Sequence, residues 1–388
     1  MRSLFTALGL ILALAGGAVA QDGAPTVPTA DDVAPAARLV LPALPDGLAA
    51  DMARDSTGDA VEGRSLTNAA MANASGAYMV GDFESALLSA ERAAAAGEPR
   101  GATLAAHIHL HGLAGEPDEA AAVRWLRRAA EQNEPDALII LAGLAEAGRG
   151  GLAAWQAREF LARAAEAGDA RGAHEYGLLL MQRGDPGAAD EALSWLQLAA
   201  ESGRVEAFGD YAHALGDWVH GPNDLAAARD WYARAGEAGD AASALIAGVM
   251  LISGEGGEPD PIAGARLVRL SAEYGLPAGM GQYALLLFQG GAGLPANPVE
   301  AAGWAQAGAE AGDPDSQFLY AYALATGDGV ARNPERAYYW VLRAGAPRGG
   351  VVSEDPDRDR LEAALERALS GPVRDRIQLE AAAAATPF

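Results

Sequence analysis

Histidine supplies the most metal-like pattern in the chain. His107, His109 and His111 stand at alternate positions, and on a helix His107 and His111, four apart, share one face, as two ligands of a zinc site do. A site needs a third ligand, and the sequence places none beside them. His109 falls where other copies of the repeat described below carry Leu or Ala, which reads as a partly buried core position. His174-Glu175 opens like H-E-x-x-H, but Leu178 holds the place of the second histidine and removes the match. Two glycine runs, Gly254-Glu255-Gly256-Gly257 and Gly290-Gly291-Ala292-Gly293, invite comparison with phosphate loops. Each follows a helical pattern where a phosphate loop follows a strand, so both read as turns. Carboxylate pairs such as Asp328 with Glu335 arise freely among 52 acidic residues and carry no acid–base assignment. No catalytic residue, metal or cofactor is assigned.

Composition narrows the chemistry further. The 388 residues include no Cys, and all 28 basic residues are Arg. Without Lys there is no phosphate-loop lysine, Schiff base or Ser-Lys pair. Without Cys there is no thiol nucleophile, disulfide or Cys-ligated zinc. A net charge of −24 repels nucleic acid and anionic lipid and favours a partner with a basic surface.

The elements that carry these residues follow from the stretch Gly312 to Ala344. From Ser316 to Thr326, small Ala321 and Ala325 alternate with bulky Tyr320, Tyr322 and Leu324 on a helical period, and Gly327 stops the helix. Asn333-Pro334 opens a second helix, with Asn as N-cap and Pro at the first helical position, and Ala337, Trp340, Val341 and Ala344 form its apolar face. Such a helix pair cannot bury both of its sides alone and needs copies stacked against it.

The copies are present. Gly97, Asn133, Gly168, Gly203, Gly239, Gly275 and Gly312 recur every 35 to 37 residues as the predicted left-handed ends of second helices. Small residues follow at the fourth and ninth positions after each. The bulky anchor of each second helix is Trp125, Phe160, Trp195, Trp231, Leu267, Trp304 or Trp340. Three residues before each stands Ala122, Ala157, Ala192, Ala228, Gly264, Ala301 or Ala337, the hole for the knob.

This arrangement, with its G-x-G-V-x-x-x-P-x-x-A-x-x-W core between Gly327 and Trp340, resembles the Sel1-like repeat, a relative of the tetratricopeptide repeat, over residues 62 to 350. The resemblance implies an all-α, right-handed α-solenoid of about eight helix-turn-helix repeats with degenerate caps, whose first helices line a concave groove. With the register of the tetratricopeptide form, positions six, ten and thirteen after each repeat glycine face inward. These include His107, His174, Leu178, Met181, His213, Leu245, Phe288, Phe318 and Tyr322. Such a lining suits an extended peptide or a partner helix, unless the superhelix closes on itself and buries it. The family also implies non-catalytic roles in envelope assembly, exopolysaccharide control or signalling to a membrane sensor. Its β-lactamase-like hydrolases are disulfide-rich, unlike this chain, and a structural part in polymer export is the third reading.

Residues 1–20 read as a secretory signal peptide: Arg2, the apolar run Leu4 to Ala15, and Ala18-Val19-Ala20 before the cleavage point. The run is shorter than the roughly 20 residues of a membrane span, so the expectation is a periplasmic or secreted protein without membrane insertion after cleavage. Residues 21–60, rich in Ala, Pro, Asp and Thr, read as a flexible linker. Residues 61–350 form the repeat array, and 351–388 its closing helices and tail.

Overall fold

The computed structural model describes residues 66–183, 187–216, 222–291, 293–346 and 355–385. The signal-peptide and linker readings lie outside the described residues. What is described is helical throughout, with eighteen helices in chain order, no strand, and a single isolated bridge between Gly291 and Leu294.

The helices pair as hairpins. α1 (Leu66–Met79) and α2 (Phe83–Ala95) make the first, then α3 (Pro99–His111) with α4 (Glu119–Ala130), and α5 (Pro135–Glu146) with α6 (Gln156–Glu166). α7 (Ala170–Arg183) pairs with α8 (Ala188–Glu201), α9 (Glu206–Gly216) with α10 (Leu225–Glu237), and α11 (Ala241–Ser253) with α12 (Pro261–Glu273). α13 (Pro277–Gln289) with α14 (Pro298–Glu310) and α15 (Pro314–Thr326) with α16 (Pro334–Ala344) complete the array, which α17 (Pro356–Ala368) and α18 (Gly371–Ala385) close.

Local chemistry sets the boundaries. Asp118, Asp224, Asp260, Asn297 and Asn333 each accept a backbone N–H three residues on at the start of a second helix, with Pro following in the last three. All seven residues predicted to end second helices take positive φ, from 55° at Asn133 to 115° at Gly239. The residue after each bonds back across the turn, as Asp313 N–H does to the Gly308 carbonyl at 3.0 Å, so the last carbonyls of each second helix are satisfied.

Packing then divides the two kinds of helix. α13 buries Gly279 and everything from Gly281 to Leu287, so it is enclosed all round, whereas α14 buries only the stripe Ala301, Ala302, Ala305, Gly308 and Ala309. First helices therefore occupy the inner layer and second helices the outer. The holes are filled as predicted: Ala122, Ala157, Ala192, Ala228, Ala301 and Ala337 are fully buried. The α11–α12 hairpin uses glycine on both sides. A Cβ at Gly248 would stand 2.9 Å from the Gly264 carbonyl, and one at Gly264 2.6 Å from that of Gly248. The two backbones thus touch where every other hairpin holds at least one alanine, and Leu267 fills the anchor site with 1% of its surface exposed.

The anchors sit at the core in two ways. Phe160, Leu267 and Trp340 are buried, while Trp125, Trp195, Trp231 and Trp304 are half-buried along its edge. Tyrosines eight residues after the repeat glycine meet them edge-on: Tyr211 with Trp231 at 5.2 Å, Tyr283 with Trp304 at 5.8 Å and Tyr320 with Trp340 at 5.9 Å between ring centroids. Each such pair adds roughly 1 kcal/mol beyond area burial. Arg234 lies 3.6 Å over the Trp231 ring and covers its outer face.

The loops inside the hairpins also stack. In the α15–α16 loop Gly329, at φ 76°, sits on the first turn of α14, where a Cβ would overlap the Pro298 carbonyl. Gly256 meets Leu225 of α10 in the same way, Gly293 meets Ile262 of α12 and Gly150 meets Val123 of α4. Successive hairpins are held by their loops as well as their helices.

Candidate partner-binding face

The nine inward positions separate by exposure. His107, His174 and Leu245 are buried, at 3, 7 and 8% exposed; Met181, Phe288 and Phe318 are half-buried; Leu178, His213 and Tyr322 are exposed, Leu178 at 37% and Tyr322 at 46%. At position ten of successive repeats, Leu178 of α7 and His213 of α9 are open, Val249 of α11 and Leu285 of α13 are buried, and Tyr322 of α15 is open again. Position ten is therefore open over α7, α9 and α15 and closed over α11 and α13, where position thirteen, Ile252 and Phe288, is half-buried.

His107 stands apart from the other eight, beneath the first hairpin. Its Nε2 lies 3.2 Å from the Tyr78 hydroxyl of α1, and its ring centroid is 4.6 Å from that of His111. Burial, and secondarily the His111 charge, lower its pKa to about 4. Among the described residues no group of three potential metal ligands forms. His109 is half-buried, with Nε2 3.5 Å from Glu91.

His174 is tied from both sides by the next repeat. Its Nε2 lies 2.6 Å from Asp210 Oδ2, and the Arg204 guanidinium donates to Nδ1 at 3.3 Å. A guanidinium only donates, so Nδ1 is the acceptor and Nε2 carries the proton given to Asp210. Both ring nitrogens are engaged, and this imidazole presents no free lone pair for general-base work. His213 Nδ1 lies 3.4 Å from the Tyr232 hydroxyl, whose pKa burial pushes up to about 12, with Asp210 and Asp240 adding to the effect.

Around His174 runs a set of charges that inspection of single residues missed. Arg171 pairs with the buried Asp136 of α5. Glu175 is half-buried, and desolvation raises its pKa against the pull of Arg171, Arg204 and His174, with Glu146 of α5 adding to the rise. Glu175 and Asp210 occupy the same place, seven residues after the repeat glycine, in consecutive repeats. That coincidence of register is the signal by which they are detectable in the sequence.

An inner layer of enclosed helices, an outer layer of amphipathic ones and a partly open inner face define a helical-repeat solenoid. The Sel1 repeat model matches residues 99–134, 156–169, 170–203, 208–240, 277–313 and 314–346, and the chain is a member of the Sel1 repeat family. The matches pass over α5 and the α11–α12 hairpin, which the structure nonetheless builds as regular members of the stack. Two solved structures share the fold. One is c5321, a protective antigen present in uropathogenic Escherichia coli strains that displays an SLR fold; it is 19% identical, with a TM-score of 0.55 over 81% of this chain and 84% of that one. The other is a Sel1 repeat protein from Oxalobacter formigenes, also 19% identical with a TM-score of 0.55, over 82% and 91%. No curated protein matches the chain. Sel1 repeat proteins are commonly scaffolds that bind protein partners.

Proposed function

We propose that this protein is a non-catalytic scaffold that holds a protein or peptide partner on its first-helix face. The observation that carries this reading is the exposure of Leu178, His213 and Tyr322 midway along helices whose other central residues are buried or half-buried. Apolar and aromatic side chains left open on a rigid, curved surface suit a partner segment, since they add contact area without a folding cost to the scaffold. The charge of −24 favours a partner with a basic surface and makes association weaken with salt. With the signal-like residues 1–20, the reading places this work in the periplasm or outside the cell, in envelope assembly or exopolysaccharide regulation, with no membrane insertion after cleavage.

In-cell photo-crosslinking tests it. A photoreactive residue at Leu178 or Tyr322 captures a partner that one at Gln197, exposed on outer helix α8, does not. Capture from Gln197 alone overturns the assignment of the face. Fractionation of the same cells tests the location, and a cytoplasmic protein that keeps residues 1–20 refutes it.

A further inference from the structure

The inner face is electrically divided along its length, and the division specifies the partner more closely than net charge does. α5, α7 and α9, with Arg204 just before α9, carry five carboxylates, Asp136, Glu146, Glu175, Glu206 and Asp210, against three guanidinium groups, Arg171, Arg183 and Arg204. Arg171 is spent on buried Asp136, and Arg204 on the Nδ1 of His174 and on Glu206 at 3.7 Å. The surplus is negative and centres on Glu146, Glu175 and Asp210. Beyond this the character changes abruptly. α11 and α13 contain no charged residue at all, and α15 has only Asp315 in its first turn. In a chain with 80 charged residues, two consecutive inner helices without one form an apolar stretch, opened by half-buried Phe288 and Phe318 and exposed Tyr322.

We propose that the face takes one elongated partner segment in a fixed polarity, with a basic stretch over α7 and α9 and an apolar stretch over α13 and α15. This rests on the scaffold reading above and adds the partner's chemistry and direction.

The physical argument is complementarity at both ends. An Arg or Lys side chain laid over α7 has Leu178 and Met181 for its aliphatic stem and the Glu175 carboxylate of the same helix for its charge, with Asp210 on the next inner helix adding to the negative field. Burial already holds the Glu175 carboxyl above its ordinary range, with Glu146 adding to the shift, and a cation set beside it relieves both effects. At the other end a charged side chain meets no counter-charge and would be desolvated against Phe288 and Tyr322, which disfavours the reversed orientation. α7 and α15 are four repeats apart, on the order of 10 Å each if every step matches the close approach of α13 and α15. That span corresponds to about 12 extended residues, so one peptide segment reaches both regions.

The test uses the full-length chain in the cells that make it, with a photoreactive residue at Leu178 or Tyr322 and mass-spectrometric mapping of the segment captured. The expected result is an Arg- or Lys-containing segment at 178 and an apolar segment of the same partner at 322. Glu175→Gln combined with Asp210→Asn lowers adduct yield at 178 by about fivefold and at 322 by much less. Both substitutions keep side-chain shape, and an unchanged thermal melt shows that the stack is intact. Adducts from both positions with no such division, with the division reversed, or with yields indifferent to the double substitution overturn the polarity and leave the scaffold reading standing. No adduct from either position overturns both.

Discussion

Replacing Gly329 with alanine, beside the same change at Gly327 two residues earlier, tests how the repeats are held together. Both glycines lie in the α15–α16 loop with positive φ, 84° at Gly327 and 76° at Gly329. Giving a Cβ to a left-handed residue costs about 1 kcal/mol at either site. The surroundings differ. A Cβ at Gly327 meets nothing closer than 3.4 Å, ordinary contact with Arg332, whereas one at Gly329 overlaps the Pro298 carbonyl and stands 2.9 Å from the Val299 nitrogen. Those atoms are backbone in the first turn of α14, so no side chain can swing aside and the loop itself must lift. Overpacking of this kind costs roughly 1–3 kcal/mol. The total is about 3 kcal/mol for Gly329→Ala against about 1 kcal/mol for Gly327→Ala. Urea unfolding followed by tryptophan fluorescence measures the difference, and hydrogen exchange should place the loss in α15 to α18, beyond the loosened joint. Equal destabilisation by the two substitutions would refute the claim that this loop carries a stacking contact, leaving only the local backbone term.

Other outcomes follow from the same geometry. His107 has its folded-state pKa lowered from 6.5 to about 4, so the unfolded chain binds its proton first as pH falls. Its stabilising contribution is intact above pH 6.5 and is lost on the way down to pH 4, by about 3 kcal/mol in all. Relative to His107→Gln, the wild-type chain should lose that much additional stability between pH 7 and pH 4 in parallel urea titrations; parallel profiles would show that the imidazole is not held neutral. Tyr283→Phe keeps the edge-on contact with Trp304 and should be nearly silent, whereas Tyr283→Ala opens a cavity under the half-buried indole and costs about 3–4 kcal/mol in the same assay. Arg234→Ala uncovers Trp231 and Phe208, costs roughly 1 kcal/mol and shifts tryptophan emission to the red; an unmoved spectrum would count against the stacked geometry.

What the sequence discloses is what repeats. The glycine or asparagine that ends each second helix, the alanine hole and the bulky anchor recur with each hairpin, because every one solves the same close-packing problem, and alignment of the chain with itself exposes them. Leu267 shows the reach of this logic: it departs from tryptophan, yet its glycine neighbours mark a hairpin drawn tighter and a smaller knob that still fills it. The half-buried state of Trp125, Trp195, Trp231 and Trp304 is not visible in that way, since position within a helix says which side a ring faces and not how far the adjoining hairpin extends over it.

The site is legible to a lesser degree for a related reason. Exposure at position ten depends on neighbours 30 to 40 residues away and on the local curvature of the stack, so the same register gives an open Leu178, a closed Leu285 and an open Tyr322. Likewise the partners of His174, Arg204 and Asp210, belong to the next repeat, and the stop beneath Gly329 belongs to the preceding one. The sequence register treats His174 as an inward-facing groove residue, whereas the stacked structure makes it a strut between α7 and α9 with both nitrogens occupied. Function in such an array therefore resides in what varies against the repeat. Leu178 and Tyr322, exposed where Val249 and Leu285 are buried at the same position, are departures that stacking does not require. Under the scaffold reading proposed above, they are the features a partner would recognise, since contacts common to every repeat cannot discriminate along the stack.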